Sequence, residues 1–175
     1  VDLSHAGKQT CLDAIEVSNK PVAISHANPN FFHKSKRNID TDILQKLVKK
    51  NGFIGLSLYP YHLKNLGDCT IEDFCEMIKE LVNLIGEDNI GIGSDLCLNW
   101  PDDVVMWMRN GKWTKNIDYG ESKDKNPKWP KLPSWYKQPS DLNNLFYLMC
   151  ENNIPEKVST KIIGQNWFNF MKNQF

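Results

Sequence analysis

Three apolar runs of the sequence each end at a serine that is followed by a residue able to bind a metal ion or carry a proton. The runs are VDLSH, which ends at His5, VAISH, which ends at His26, and IGIGSD, which ends at Asp95. Zinc accepts imidazole and carboxylate ligands, and a carboxylate can also act as a general acid or base. The pattern therefore indicates metal-assisted chemistry at the ends of three strands.

The two histidines define an incomplete metal site. His5 and His26 lie 21 residues apart, which is one step between neighbouring parallel strands, so we expect their rings to lie side by side. A catalytic zinc ion takes three protein ligands and a water molecule. We expect the remaining ligands to precede Val1, and therefore expect the chain to be part of a longer protein.

Strand-type and helix-type segments alternate along the chain. Apolar runs typical of buried strands cover residues 1–5, 21–25, 53–59 and 90–95, and helical patterns cover residues 10–18, 40–52 and 70–86. Thr70 and Asp73 predict a capping box at the start of the third helix. Two or three further helices are predicted from Leu142 onward, with a break at Gly164. Apolar strands that alternate with helices favour a parallel sheet covered by helices.

Two architectures fit this alternation, an open doubly wound sheet and part of a (β/α)8 barrel. No strand is followed by the glycine-rich turn of a nucleotide-binding sheet. Metal-type and acid-base residues at the carboxyl ends of strands favour a barrel. We therefore predict an α/β fold that is the C-terminal half of a TIM-type barrel, with about four parallel strands, covering helices and C-terminal helices. Residues 1–175 are predicted to be a single, partial metallo-hydrolase unit, with a long irregular insertion at 110–138.

Composition narrows the possible partners and compartment. The chain is 41% hydrophobic and has zero formal net charge, which argues against nucleic acid or an anionic membrane as the main partner. Its five cysteines are an odd number without a CxxC pair, which favours a reducing compartment. We therefore expect a cytoplasmic location, and a targeting signal before Val1 is not covered by this expectation.

Several motifs taken together resemble a known family. VDLSH, PVAISHAN, the SKRNIDTDIL run, GIGSDLC and the closing GQNWFNF follow one another in this order. They resemble the C-terminal half of the membrane dipeptidase family, the M19 zinc dipeptidases. That family is a (β/α)8 barrel that hydrolyses dipeptides with two zinc ions in each complete site. The resemblance therefore implies a dipeptide substrate and Zn²⁺ as the cofactor.

The resemblance also implies roles for four residues. His5 and His26 match ligands of the second zinc, Arg37 matches the arginine that holds the terminal carboxylate of the substrate, and Asp95 matches the aspartate beside the bridging water. Without the resemblance, the basic run HKSKRN around Arg37 would be read as a solvated loop. The other family ligands, a His-x-Asp and a bridging Glu, have no counterpart here, nor has a substrate-facing histidine. We therefore expect this chain to be inactive by itself and to need the missing half to close the barrel.

Two other functions remain open. The chain could belong to another metal-dependent amidohydrolase on the same barrel, of the amidase or deaminase kind. It could also be a non-catalytic half-barrel that binds a partner at a strand edge or pairs with a second copy of itself, since half a barrel exposes unpaired edges. A homodimer is therefore a possible partner arrangement, and nucleic acid is not expected.

Other candidate residues lie near the same carboxyl-terminal ends of the predicted strands. His33 and His62 lie in loops that follow strands, where either could touch substrate. Since partly exposed loop histidines mostly have no fixed role, we expect none for these two. Tyr59 and Tyr61 flank Pro60 and either line the pocket or pack beside it. Five tryptophans in and around the insertion favour a packed lid or a dimer contact, and they are Trp100, Trp107, Trp113, Trp129 and Trp135.

Overall fold

The computed structural model describes residues 1–105 and 128–174 of the chain. Contacts divide the chain into two compact units, Val1–Leu96 with Leu132–Phe175, and Cys97–Lys131. The prediction of a single unit over 1–175 stays a prediction. Most of the predicted insertion at 110–138, including Trp113, lies outside the described residues, as does Trp107.

A small parallel sheet forms the centre of the larger unit. Its described strands are β1 (Ala23–Ala27), β2 (Phe53–Leu56) and β3 (Ile90–Ile92), in the spatial order β1-β2-β3. Both neighbouring pairs run parallel, and Ile54 of β2 lies opposite Ile24 and Ile90. The predicted α/β class with parallel strands is therefore confirmed.

The predicted first strand at residues 1–5 is wrong as a full strand. Asp2 forms only an isolated parallel bridge to Ala23, supported by a hydrogen bond from the Leu3 amide to the Ala23 carbonyl oxygen (2.8 Å). After Leu3 the backbone turns, and side-chain hydrogen bonds from Ser4 and Ser25 to Asp2 take the place of a ladder. The described sheet therefore has three strands and one bridge in place of four strands.

Helices connect the strands and close the chain. The connecting helices are α1 (Lys8–Val17), α2 (Thr41–Lys49) and α3 (Ile71–Ile85), and the later ones are α4 (Leu142–Glu151), α5 (Glu156–Thr160) and α6 (Asn166–Lys172). None of the helices in the described ranges is long and apolar enough to span a membrane.

The helix boundaries follow local sequence signals in some places and depart from them in others. The Thr70 hydroxyl accepts a hydrogen bond from the Asp73 amide (3.1 Å), which confirms the predicted cap of α3. α1 begins at Lys8, two residues earlier than predicted, with Gly7 at its N-cap. The predicted break at Gly164 is wrong, because a π-helical turn over Lys161–Gln165 carries the chain from α5 into α6.

One face of the sheet is covered by the connecting helices. Ile24, Ile54 and Ile90 lie in one row across the three strands and are buried. They share a core with Leu44 of α2 and Ile78 of α3. Burying each such side chain contributes about 1.5–3 kcal/mol, so this face holds the connecting helices on the sheet.

The opposite face is filled by the aromatic end of the chain. Trp167 lies over β2 and β3, with its ring centroid 4.3 Å from that of Phe53 and its indole N–H donating to the Ile92 carbonyl oxygen (2.8 Å). The buried Asn166 amide donates to the Ile90 carbonyl oxygen (2.8 Å). A Cβ atom added at Gly91 would lie only 2.6 Å from the Trp167 ring. Glycine at this position therefore makes room for the tryptophan.

The sheet is sharply curved at the ends of its strands. A Cβ atom added at Gly55 or Gly93 would collide with the Ser25 carbonyl oxygen. Because β2 separates β1 from β3, an approach of Gly93 to Ser25 requires the three strands to bend around a common axis. The curvature draws the residues that follow the strands toward one another.

We expect Gly91→Ala to lower the free energy of unfolding by about 1–3 kcal/mol, because the added methyl group overpacks the contact with Trp167. Urea unfolding followed by fluorescence measures the change. Gly164→Ala is the control, since a Cβ there meets nothing within 4 Å and alanine stabilises helices by up to about 1 kcal/mol. Equal stability of Gly91→Ala and the wild type would contradict the close packing of this face.

Candidate metal and substrate site

The predicted site residues come from the carboxyl ends of the strands and the loops that follow them. His26 lies in β1, and His5 follows the short bridge that pairs with that strand. Asp95 follows β3 by three residues, and Arg37 lies in the loop between β1 and α2. The fold therefore directs all four residues toward one edge of the sheet.

The two histidines meet at this edge. Their Nε2 atoms are 2.8 Å apart, and the rings are nearly perpendicular at 67°. Two nitrogens that bind one tetrahedral zinc ion at about 2.0–2.1 Å lie roughly 3.3 Å apart, so a small opening of the pair would admit a metal ion. The predicted side-by-side placement of His5 and His26 is observed, and their imidazoles fit the requirements of a zinc ligand pair.

The pair is not a complete metal site within the described residues. No group of three or more His, Cys, Asp or Glu side chains able to hold a metal ion occurs in residues 1–105 and 128–174. A catalytic zinc site uses three protein ligands and a water molecule. The described part of the chain therefore supplies two ligands at most, and the roles of His5 and His26 stay predictions.

Unusual backbone conformations occur at two of the four positions. His5 (φ 69°) and Asp95 (φ 51°) both lie in the left-handed region. Non-glycine residues in this region are uncommon, cost about 1–3 kcal/mol each and cluster at functional sites. The surrounding structure thus holds His5 in the turn that follows the Asp2 bridge and Asp95 in the segment that follows β3.

Charged neighbours and burial act together on Asp95. Burial raises the pKa of its carboxyl group above the usual value, and the charges of His26 and Arg37 partly offset this rise. The side chains of His26, Arg37 and Asp95 therefore lie within electrostatic reach of one another. A partly buried carboxyl group with a raised pKa is suited to act as a general acid or base.

Two asparagines that the sequence pattern did not indicate hold the loop that carries Arg37. The Asn38 amide donates to the carbonyl oxygens of His33 (2.7 Å) and His62 (3.0 Å), and its oxygen accepts from the Asn28 backbone amide (3.1 Å). The Asn28 amide donates to the Ser57 carbonyl oxygen (2.9 Å) at the end of β2. Because both asparagines are buried, these bonds fix the loop that carries Arg37.

His62 was expected to have no fixed role, and this expectation is wrong. It is only 3% exposed, and its Nδ1 atom lies 2.7 Å from the Ser57 hydroxyl. Burial lowers the pKa of His62 to about 3, and the positive charges of Arg37, His26, His5 and His33 contribute. His62 is therefore a neutral, ordered group beside the candidate site.

Other predicted residues have more ordinary surroundings. Tyr59 is buried, and its ring centroid lies 5.8 Å from that of Tyr61. Lys34 and Lys36, in the basic run around Arg37, are exposed. Trp135 is part of the core and donates to the Cys69 carbonyl oxygen (2.9 Å), so the predicted lid or dimer contact is wrong for this tryptophan. In the smaller unit, the Trp129 indole donates to the Trp100 carbonyl oxygen (2.8 Å).

The low pKa of His62 predicts a loss of stability in mild acid. The pKa is about 3 in the folded protein, against an ordinary value of 6.5, so the unfolded chain binds a proton first as the pH falls. The stability contributed by neutral His62 is therefore complete above the ordinary value and is lost as the pH falls toward 3, by at most about 1.4 kcal/mol per pH unit.

We expect His62→Gln to show a shallower decline of unfolding free energy between about pH 6 and pH 4 than the wild type, in urea titrations at each pH. His33→Gln is the matched control and should keep the steeper wild-type decline, since its side chain is partly exposed. Identical slopes for His62→Gln and the wild type would show that His62 is not held neutral.

The sequence of this chain matches that of known proteins. A sequence model described as membrane dipeptidase (peptidase family M19) matches residues 1–102. A dipeptidase of Schizosaccharomyces pombe is 31% identical over 97 residues, which cover 54% of this chain and 23% of that protein. The chain thus spans well under half the length of this relative.

Solved structures agree with the sequence match. An amidohydrolase from Pseudomonas aeruginosa is 30% identical, with a TM-score of 0.85 over 98% of this chain and 51% of its own. A metallo peptidase from Rhodobacter sphaeroides, in complex with a phosphinate mimic of the dipeptide L-Ala-D-Ala, has the same fold at 20% identity, with a TM-score of 0.75 over 99% of this chain and 42% of its own. From its match to the family over residues 1–102, the chain belongs to the membrane dipeptidase family, peptidase family M19.

Proposed function

We propose that this chain carries part of the active site of a zinc-dependent dipeptidase, on one half of a (β/α)8 barrel. The observation that carries the proposal is the meeting of His5 and His26, with Nε2 atoms 2.8 Å apart, at the edge of a curved parallel sheet. Family membership and the half-length coverage of similar structures support it. Active sites of barrels lie at this edge, the carboxyl ends of the strands.

In this proposal each residue has a distinct task. His5 and His26 would hold one of two zinc ions, and zinc bound there would lower the pKa of a bound water molecule to about 7. Arg37 grips the terminal carboxylate of the dipeptide through its planar guanidinium group. Asp95 accepts the proton of the attacking water and delivers it to the leaving amine, a task that its raised pKa suits.

The proposal includes the prediction that this chain alone is inactive. The described residues supply two imidazole ligands, fewer than the three protein ligands of a catalytic zinc ion. A broader amide hydrolase is the second candidate, favoured by the similarity to the amidohydrolase from Pseudomonas aeruginosa. Dipeptide mimics and amides without a free carboxylate distinguish the two, because only the former engage Arg37.

Metal binding tests the ligand pair directly. We expect the protein to bind Zn²⁺ in isothermal titration calorimetry, and we expect the double variant His5→Ala, His26→Ala to lose this binding because both imidazole donors are removed. His33→Ala is the matched control for the loss of a nearby histidine and should bind as the wild type does. Undiminished zinc binding by the double variant would rule out this pair as the ligands.

Ligand binding tests the task of Arg37. With Zn²⁺ present, we expect Arg37→Ala to weaken binding of a phosphinate dipeptide mimic by about 1.5–3 kcal/mol, the usual contribution of hydrogen bonds to a charged group. Lys36→Ala removes the neighbouring, exposed positive charge and should leave the affinity unchanged. If Lys36→Ala weakened binding as much as Arg37→Ala, general attraction by the basic loop would replace a specific grip.

A further inference from the structure

The Asp2 carboxylate ties the first segment of the chain to β1 with both of its oxygens. Oδ1 accepts hydrogen bonds from the Ser4 amide (3.0 Å), the Ser4 hydroxyl (2.9 Å) and the Ser25 amide (3.0 Å). Oδ2 accepts from the Ser25 hydroxyl (2.5 Å). Oδ1 thus accepts from two backbone amides and from the Ser4 hydroxyl, whereas Oδ2 accepts from the Ser25 hydroxyl.

The Ser25 hydroxyl continues this contact to a histidine ring. Its Oγ atom lies 2.8 Å from Nδ1 of His26. A hydroxyl has one proton, and the carboxylate can only accept, so the Ser25 proton is donated to Asp2. Oγ must therefore accept the hydrogen bond from His26, which places a proton on Nδ1 of the ring.

The other nitrogen of His26 agrees with this assignment. A neutral imidazole with its proton on Nδ1 has a lone pair on Nε2, and Nε2 of His26 faces Nε2 of His5 at 2.8 Å. In the metal-free protein, His5 then donates to this lone pair. The same lone pair is the one that a metal ion between the rings would use.

We propose that Asp2 and Ser25 are positioning residues that hold His26 in the Nδ1–H tautomer, with its Nε2 lone pair directed at the metal position beside His5. The proposal rests on the proposed function in so far as it concerns the metal. Histidine ligands usually donate their second N–H directly to a carboxylate, a backbone carbonyl or water. Here a serine hydroxyl passes the contact on to the carboxylate of a neighbouring segment.

Ser4 provides an internal comparison for this role. Its hydroxyl also donates to Asp2 and lies 3.1 Å from the Ser25 hydroxyl. Toward His26, however, it accepts from the backbone amide (3.1 Å) and not from the imidazole. Loss of the Ser4 hydroxyl therefore weakens the attachment of the segment without removing the acceptor for Nδ1–H. If Asp2 only attached the first segment to β1, loss of either serine hydroxyl would have the same effect on His26.

The tautomer of His26 is measured by nitrogen-15 NMR of the histidine-labelled, metal-free protein at a pH where the ring is neutral. We expect a protonated Nδ1 in the wild type, in Ser4→Ala and in Ser25→Thr, which keeps the hydroxyl. In Ser25→Ala we expect protonated Nε2 to become populated. An unchanged tautomer in Ser25→Ala, or protonated Nε2 in the wild type, would overturn the proposal.

Zinc affinity supplies the second measurement. We expect Ser25→Ala and Asp2→Asn to weaken Zn²⁺ binding roughly 10- to 100-fold, the usual effect of removing the partner of a metal ligand, while Ser4→Ala and Ser25→Thr bind as the wild type does. Circular dichroism checks that each variant is folded. Wild-type zinc affinity in Ser25→Ala would overturn the metal part of the proposal and leave the proposed function intact. Absence of zinc binding in the wild type would instead refute the proposed function, and the NMR result would still decide the tautomer.

Discussion

The Asp2 carboxylate is the interaction on which the rim of the sheet depends. Among the described residues, one bridge with the backbone hydrogen bonds around Ala23 joins the first segment to β1. Asp2 strengthens this junction by accepting two hydrogen bonds from Ser25 of β1, and it holds the turn by accepting two from Ser4. Partial burial acts to raise the pKa of Asp2, but these hydrogen bonds lower it to about 2. The group is therefore ionised at neutral pH, and the bonds that place His5 beside His26 persist.

Both faces of the described sheet are covered by packed side chains. The connecting helices cover one face through the isoleucine row, and Trp167 fills the other where Gly91 makes room for it. The strands also bend so that Gly93 approaches Ser25. Polar groups are therefore concentrated where the strands end, and buried asparagines such as Asn38 satisfy the backbone groups of the loops there.

Features that depend on residues close together in the sequence, or on their regular spacing, could be predicted from the sequence. Thr70 and Asp73 are three residues apart, so their capping contact is visible as a motif, and the matching positions of His5 and His26 follow from one strand-to-strand step. The partial strand at Asp2 and the buried state of His62 could not be predicted this way. They depend on side-chain contacts between residues far apart in the sequence, such as the hydrogen bond from Asn28 to Ser57. The sequence alone does not show whether an asparagine is buried or exposed.

We propose that the imidazoles of His5 and His26, which meet at one edge of the sheet, form part of a metal site. Anomalous X-ray diffraction at the zinc absorption edge, on crystals of the protein grown with Zn²⁺, tests this claim most directly. We expect a peak roughly 2 Å from Nε2 of both His5 and His26. A peak bound to only one of these rings, or zinc only at other residues, would contradict it.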